Sequence, residues 1–160
     1  MPSQTEFLHL ITQNQGIIRK LVGLYARNEE DKSDLYQEVL LQAWKGFASF
    51  KGQSKFSTWL YRVSLNTLLT TQRRHTRTEY REHLEEHLAT EPHQSVASEN
   101  KQLLYAAIRA LPATDRAIIS AHLDGYSNPE IADIMGISAN HIAVKLHRIK
   151  QALTNLLQPQ

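Results

Sequence analysis

The chain has 160 residues, a formal net charge of +2, 41% hydrophobic and 21% charged residues, and no cysteine. That composition is ordinary for a folded globular chain of one domain or two small ones, and it excludes disulfides, iron–sulfur clusters, thiolate zinc sites and a Cys nucleophile. No apolar run reaches the roughly 18–20 residues that cross a membrane, and Met1–Gln15 lacks the basic start and apolar stretch of a signal peptide, so a cytoplasmic protein without membrane insertion is expected.

The charge is unevenly placed. Residues 1–78 hold 11 Lys/Arg against six Asp/Glu, residues 79–100 hold one Arg against six Glu, and residues 101–160 hold six Lys/Arg against four Asp/Glu. Two basic blocks around an acidic one suggest two modules that meet a polyanion, joined by a segment that does not. The expected division is 1–78, a linker at 79–100, and 101–160. Nearly every segment has helical periodicity and none sustains a period of two, so the predicted fold is all-α, two small helical domains and a linker. Helices are expected at about 4–14, 16–28, 31–49, 54–75, 101–110, 113–123, 128–135 and 139–157, with glycines and prolines at their boundaries.

In the third of these, Leu35, Val39 or Leu40, Ala43, Trp44 and Phe47 make an inward face. Asp34, Gln37, Glu38 and Gln42 lie three or four residues apart and share another. A polar face with two carboxylates suits docking against a basic helix. Paired carboxylates also serve acid/base chemistry, but no His, Ser nucleophile or metal-ligand set accompanies these, so no catalytic residue is expected.

The stretch Phe50-Lys51-Gly52-Gln53-Ser54-Lys55-Phe56, followed by Trp59, Tyr61 and Arg62, alternates aromatic with basic and small polar residues. Aromatic faces and cations together are what stacking and phosphate tracking on single strands require. At least one of Phe56, Trp59 and Tyr61 reads as a core residue instead. The same helix continues through Asn66 to Arg73, Arg74 and Arg77.

The acidic segment contains His83-Leu84-Glu85-Glu86-His87, an H-x-x-E-H spacing that a metalloprotease class uses. In a Glu-rich segment without a third ligand such a match is cheap, and neither a metal nor a cofactor is expected.

The last module is the most legible. Asp124-Gly125-Tyr126 reads as a turn, and Ser127 and Glu130 have capping-box spacing with Pro129 in the first helical turn. Ile131, Ile134 and Met135 give an apolar face, Gly136 ends the helix, Ile137 points inward and Ser138 caps the next helix. That helix carries an apolar stripe of Ile142, Leu146, Ile149, Leu153 and Leu156, and an outer face of Asn140, His141, Lys145, Arg148 and Lys150. This is a helix-turn-helix layout, whose second helix enters the major groove of DNA while its cations meet phosphates.

Together these residues resemble the extracytoplasmic-function (ECF) sigma factors, the small two-domain class of the sigma-70 family and initiation subunits of bacterial RNA polymerase. Asp34-Leu35-Tyr36-Gln37-Glu38-Val39 with Ala43-Trp44, and Phe56-Ser57-Thr58-Trp59-Leu60-Tyr61-Arg62-Val63 with Asn66, look like that family's region 2. Leu111-Pro112 and the run Gly125–Ser138 look like its region 4. The resemblance spans about residues 5–157.

It implies that Asp34, Gln37, Glu38 and Gln42 dock on the clamp helices of the polymerase β′ subunit. It implies that the loop Phe50–Phe56 captures a flipped base of the −10 element, that Trp59 and Tyr61 support strand opening over Asn66, and that Arg62, Arg73, Arg74 and Arg77 touch the DNA backbone. The helix from Ala139 would read the −35 element through Ser138, Asn140, His141, Ala143, Val144, Lys145, His147 and Arg148, with region 4 resting on the β flap. An anti-sigma factor is a further partner common in the family.

The chain departs from the family pattern at Thr70 and Gln72, and at Ala143 and Val144, where relatives usually carry a basic residue and a Ser. Ala and Val offer only apolar contact, such as to a thymine methyl. Readout of the −35 element then rests on the remaining polar residues or on groove shape. The competing reading is a stand-alone helix-turn-helix regulator, its N-terminal module serving dimerisation or sensing. A dimeriser needs neither the aromatic–basic segment nor the polar face at Asp34, Gln37 and Glu38.

Overall fold

Seven α-helices and no strand make up the described residues of the computed structural model, which are 3–79 and 96–158, with the backbone alone described at 75–79 and 96–98. The chain divides between Leu88 and Ala89 into two compact units.

In the first unit, α1 (Gln4–Tyr25) starts at Ser3, whose hydroxyl accepts the Glu6 backbone N–H at 3.0 Å. The sequence predicts a break at Gly16, but α1 runs straight through it. Phe7, Ile11, Ile18, Leu21, Val22 and Tyr25 keep one buried face on both sides of the glycine, and burying it outweighs the roughly 1 kcal/mol that a mid-helix glycine costs. Gly23 likewise lies inside α1, not at a boundary, whereas Gly46 stands in the closing turn of α2.

α2 (Glu29–Phe47) is capped by Asn28, whose side chain accepts the Asp31 N–H at 2.8 Å. The Asp31 carboxylate in turn accepts the Arg27 backbone N–H at 2.9 Å. Three acidic residues in the first turn, Glu29, Glu30 and Asp31, suit the positive end of the helix dipole. α2 buries Leu35, Val39, Ala43 and Phe47. Trp44, expected on that inward face, is 43% exposed, because it sits at the margin of the buried stripe and only part of its ring is covered, by Phe7 at a centroid distance of 5.1 Å.

α3 (Phe56–Glu79) packs on both α1 and α2 and so buries a broad face of Leu60, Tyr61, Ser64, Leu65, Thr67 and Leu68.

The second unit holds α4 (Val96–Arg109), α5 (Ala113–Leu123), α6 (Asn128–Met135) and α7 (Ala139–Leu157). α4 begins inside the segment read as linker. α7 packs on α4, α5 and α6, with Ile142, Leu146, Ile149 and Leu153 buried against Ile108, Ile118 and Ile131 among others. The stripe stops there: Leu156, predicted to continue it, is exposed in the last turn of the helix.

The local chemistry of the turns is as the sequence predicts. α5 ends with the Gly125 N–H donating to the His122 carbonyl (3.0 Å) and the Tyr126 N–H to that of Ala121 (3.1 Å), the paired bonds of a Schellman motif. Ser127 and Glu130 close a reciprocal capping box at 3.3 and 2.8 Å. Gly136 ends α6 at φ 77, a left-handed conformation that costs a side-chain-bearing residue about 1–2 kcal/mol.

Candidate functional site

On α2, Asp34, Glu38 and Gln42 follow one another at four-residue steps, and the Gln42 side-chain N–H donates to Glu38 Oε2 at 2.9 Å. The sequence places Gln37 on the same face. The structure places it on the neighbouring shoulder. Gln37 lines a cleft of about 530 Å³ between α1 and α2 with Arg19, Val22, Lys32 and Tyr36. Asp34 and Glu38 line a second cleft, of about 330 Å³, between α2 and α3 with Arg27, Asp31 and Arg74. Arg74, expected at DNA, therefore stands beside the carboxylates of the α2 ridge. Asp34 and Gln37 are exposed; Glu38 and Gln42 are half-buried.

The aromatic residues of the next segment form one cluster. Phe47, 4% exposed, lies within 6.2 Å, centroid to centroid, of Phe7, Phe50, Phe56 and Trp59. Phe50, Phe56 and Trp59 also touch one another at 5.3–5.7 Å. Each of the three is half-buried. Gly46 lies beneath Trp59, where an added Cβ would stand 3.4 Å from Cζ2. Over this floor runs the loop Lys51, Gly52, Gln53, Ser54 and Lys55, every residue exposed, turning at Gly52 with φ 75. The rings of Phe50 and Phe56 thus anchor the loop at its two ends, and Lys51, Gln53, Ser54 and Lys55 are exposed between them.

Tyr61 is a correction. At 2% exposure it belongs to the core, because it lies one residue after Leu60 and four before Leu65 on the inner face of α3, and its ring is not available to DNA. Arg62, Asn66 and Arg73 do lie together, exposed along the outer face of α3 with Thr70. The Arg77 side chain lies outside the described residues, as does the H-x-x-E-H motif at 83–87. No group of three or more His, Asp or Glu able to hold a metal ion occurs among the described residues, and none of their helices is long and apolar enough to cross a membrane.

On α7, Asn140, His141, Ala143, Val144, His147 and Arg148 are exposed. Ser138 is the N-cap, its hydroxyl accepting the His141 backbone N–H at 3.1 Å, so its first role is to start the helix. Lys145 is half-buried, with its Nζ 4.0 Å from Asp115 Oδ1 of α5. That pairing offsets part of the charge expected to meet phosphate. The sequence carries no signal for it, since thirty residues separate the partners. In α4, burial lowers the pKa of Arg109 below the usual arginine value.

The comparisons with known proteins fall on these same elements. The family model for sigma-70 region 2 matches residues 10–78, which covers most of α1, all of α2 and nearly all of α3. That for sigma-70 region 4 matches residues 101–153, from within α4 to the last buried turn of α7. The chain is 30% identical over 157 residues to the ECF RNA polymerase sigma-E factor of Haemophilus influenzae, covering 88% of this chain and 82% of that one. It is 29% identical over 170 residues to the protein of the same name in Escherichia coli, covering 98% and 88%. A solved structure of the sigma factor RpoE in complex with the anti-sigma factor NepR, from Bartonella quintana, shares the fold with a TM-score of 0.80 at 24% identity, covering 95% of this chain and 96% of that one. With two matched regions in order and relatives alike over nearly the whole length, the chain belongs to the ECF sigma factors of the sigma-70 family.

Proposed function

We propose that this sigma factor binds core RNA polymerase with its first module and reads promoter DNA with both. The observation that carries the reading is the joining, in one small unit, of a polar α2 ridge to an exposed loop of lysines and small polar residues on an aromatic floor. A stand-alone regulator needs neither. In this reading the modules are 1–78 and 101–160, joined through 79–100. Asp34, Glu38 and Gln42, with Gln37 on the adjoining shoulder, dock on the β′ clamp helices. The loop 51–55 and its supporting rings Phe50, Phe56 and Trp59 take up an extruded −10 base, for which an aromatic-walled pocket with polar edges is the physical requirement. Arg62, Asn66 and Arg73 track the strand. The exposed residues of α7 read the −35 duplex, and region 4 rests on the β flap. The chain acts by binding, not by catalysis, in the compartment that holds polymerase and DNA. Polymerase fixes the two modules at the spacing of the promoter elements, so two weak sites act together through effective concentration. A relative of known structure is held by an anti-sigma factor. A partner of that kind, covering the docking ridge, would keep this chain silent.

Co-elution with purified core polymerase tests the reading, wild type beside Gln37→Ala/Glu38→Ala. Tight wild-type binding that the double change weakens supports it. Binding that the change leaves intact sinks the docking face, and no wild-type binding sinks the function.

A further inference from the structure

The face of α7 opposite its buried stripe carries Asn140, His147, Arg148 and Gln151, all exposed. In the middle of them stands Val144, four residues after Asn140 and three and four before His147 and Arg148. It is 45% exposed. Among the described residues it is the one large exposed hydrophobic side chain in the first three turns of this helix; Leu156 and Leu157 come only in the last. Ala143 lies to the side of this face and offers a single methyl. The structure therefore separates two residues that the sequence left equivalent.

The major groove displays one apolar group, the C5-methyl of thymine. A valine meets it well: its two methyls are held by a stiff χ1, so little side-chain freedom is lost on contact. Its polar neighbours have the hydrogen-bonding groups that read purine edges on either side. We infer that Val144 reads the 5-methyl group of one thymine at the centre of the −35 footprint, with Asn140 and Arg148 on the flanking bases. This rests on the reading of α7 as the −35 helix.

The test uses the holoenzyme assembled from the full chain and core polymerase. Promoters are first selected from a library randomised upstream of the start site. Each thymine of the selected −35 element is then replaced by deoxyuridine, which removes only the methyl, and open-complex formation is measured. One position is expected to lose about four-fold, the ratio that burial of one methyl group gives. With Val144→Ala, and separately Val144→Thr, the thymine-to-deoxyuridine ratio at that position is expected to fall towards one for alanine and to be retained in part for threonine, which keeps a methyl. Because a ratio is read within each protein, any general loss of affinity cancels.

No sensitive thymine, or an undiminished ratio in the alanine variant, overturns the inference. A small effect spread evenly over all thymines also overturns it, in favour of groove shape, while leaving the −35 reading intact. A holoenzyme that selects no upstream sequence overturns both.

Discussion

Ser64 is fully buried on α3, and its hydroxyl has no hydrogen-bond partner among the described residues. A buried polar group left unpaired costs about 1–3 kcal/mol, whereas removing it leaves an apolar site of nearly the same shape. Ser64→Ala is therefore expected to raise stability by about 1 kcal/mol in urea unfolding; a loss of stability would show that the hydroxyl is satisfied in solution. Lys145 is the complementary case, a cation partly neutralised within the fold by Asp115. A half-buried pair at this long distance, still screened by solvent, adds about 1 kcal/mol or less to stability. On the proposed reading of α7 as the −35 helix its effect lies in binding: Asp115→Asn releases the Lys145 charge and removes a negative one nearby. Holoenzyme binding to promoter DNA is expected to tighten, and the slope of log K against log salt to steepen by up to about one. An unchanged slope would mean that Lys145 makes no phosphate contact.

Helix boundaries depend on more than their punctuation. α1 ignores Gly16 because its apolar spacing continues across it, and an added Cβ there meets nothing within 4 Å. Gly16→Ala is expected to stabilise the chain by about 0.5–1 kcal/mol, as a glycine-to-alanine change in a helix interior does. Destabilisation in thermal melts would show that the glycine has a use not seen in its surroundings. The end of α5, both ends of α6 and the start of α7, by contrast, lie where their caps and turns put them, because each is closed by bonds between residues within five positions of each other.

Each of the two units has its own core, the first built on Ile18, Leu21, Val22, Val39, Leu60 and Leu65 with Phe47 and its half-buried aromatic cluster at one edge, and the second on the stripe of α7. Phe47→Ala removes the ring at the middle of the cluster, a change that costs about 3–5 kcal/mol in a well-packed core. In the full chain, amide exchange is expected to lose protection throughout α1–α3 and to stay unchanged in α5–α7. Loss of protection in both units would show that they fold as one. The loop 51–55 is expected to loosen with the first unit, since Phe50 and Phe56 rest on Phe47.

The sequence by itself determined the all-α class, the helix-turn-helix with its caps, the cluster of motifs that marks the family, and the exposure of most of the residues proposed for docking and DNA contact. All of these follow from periodicity and from bonds between near neighbours. Only the tertiary structure decided that Tyr61 is core, that Trp44 is not, that Gln37 and Asp34 face different clefts, that Arg74 stands by Asp34 and Glu38, that Asp115 holds Lys145, and that Val144 rather than Ala143 centres the outer face of α7. Each of these turns on how wide a face one helix buries against its neighbours, or on a partner in another helix. A spacing rule that sees one helix at a time contains neither.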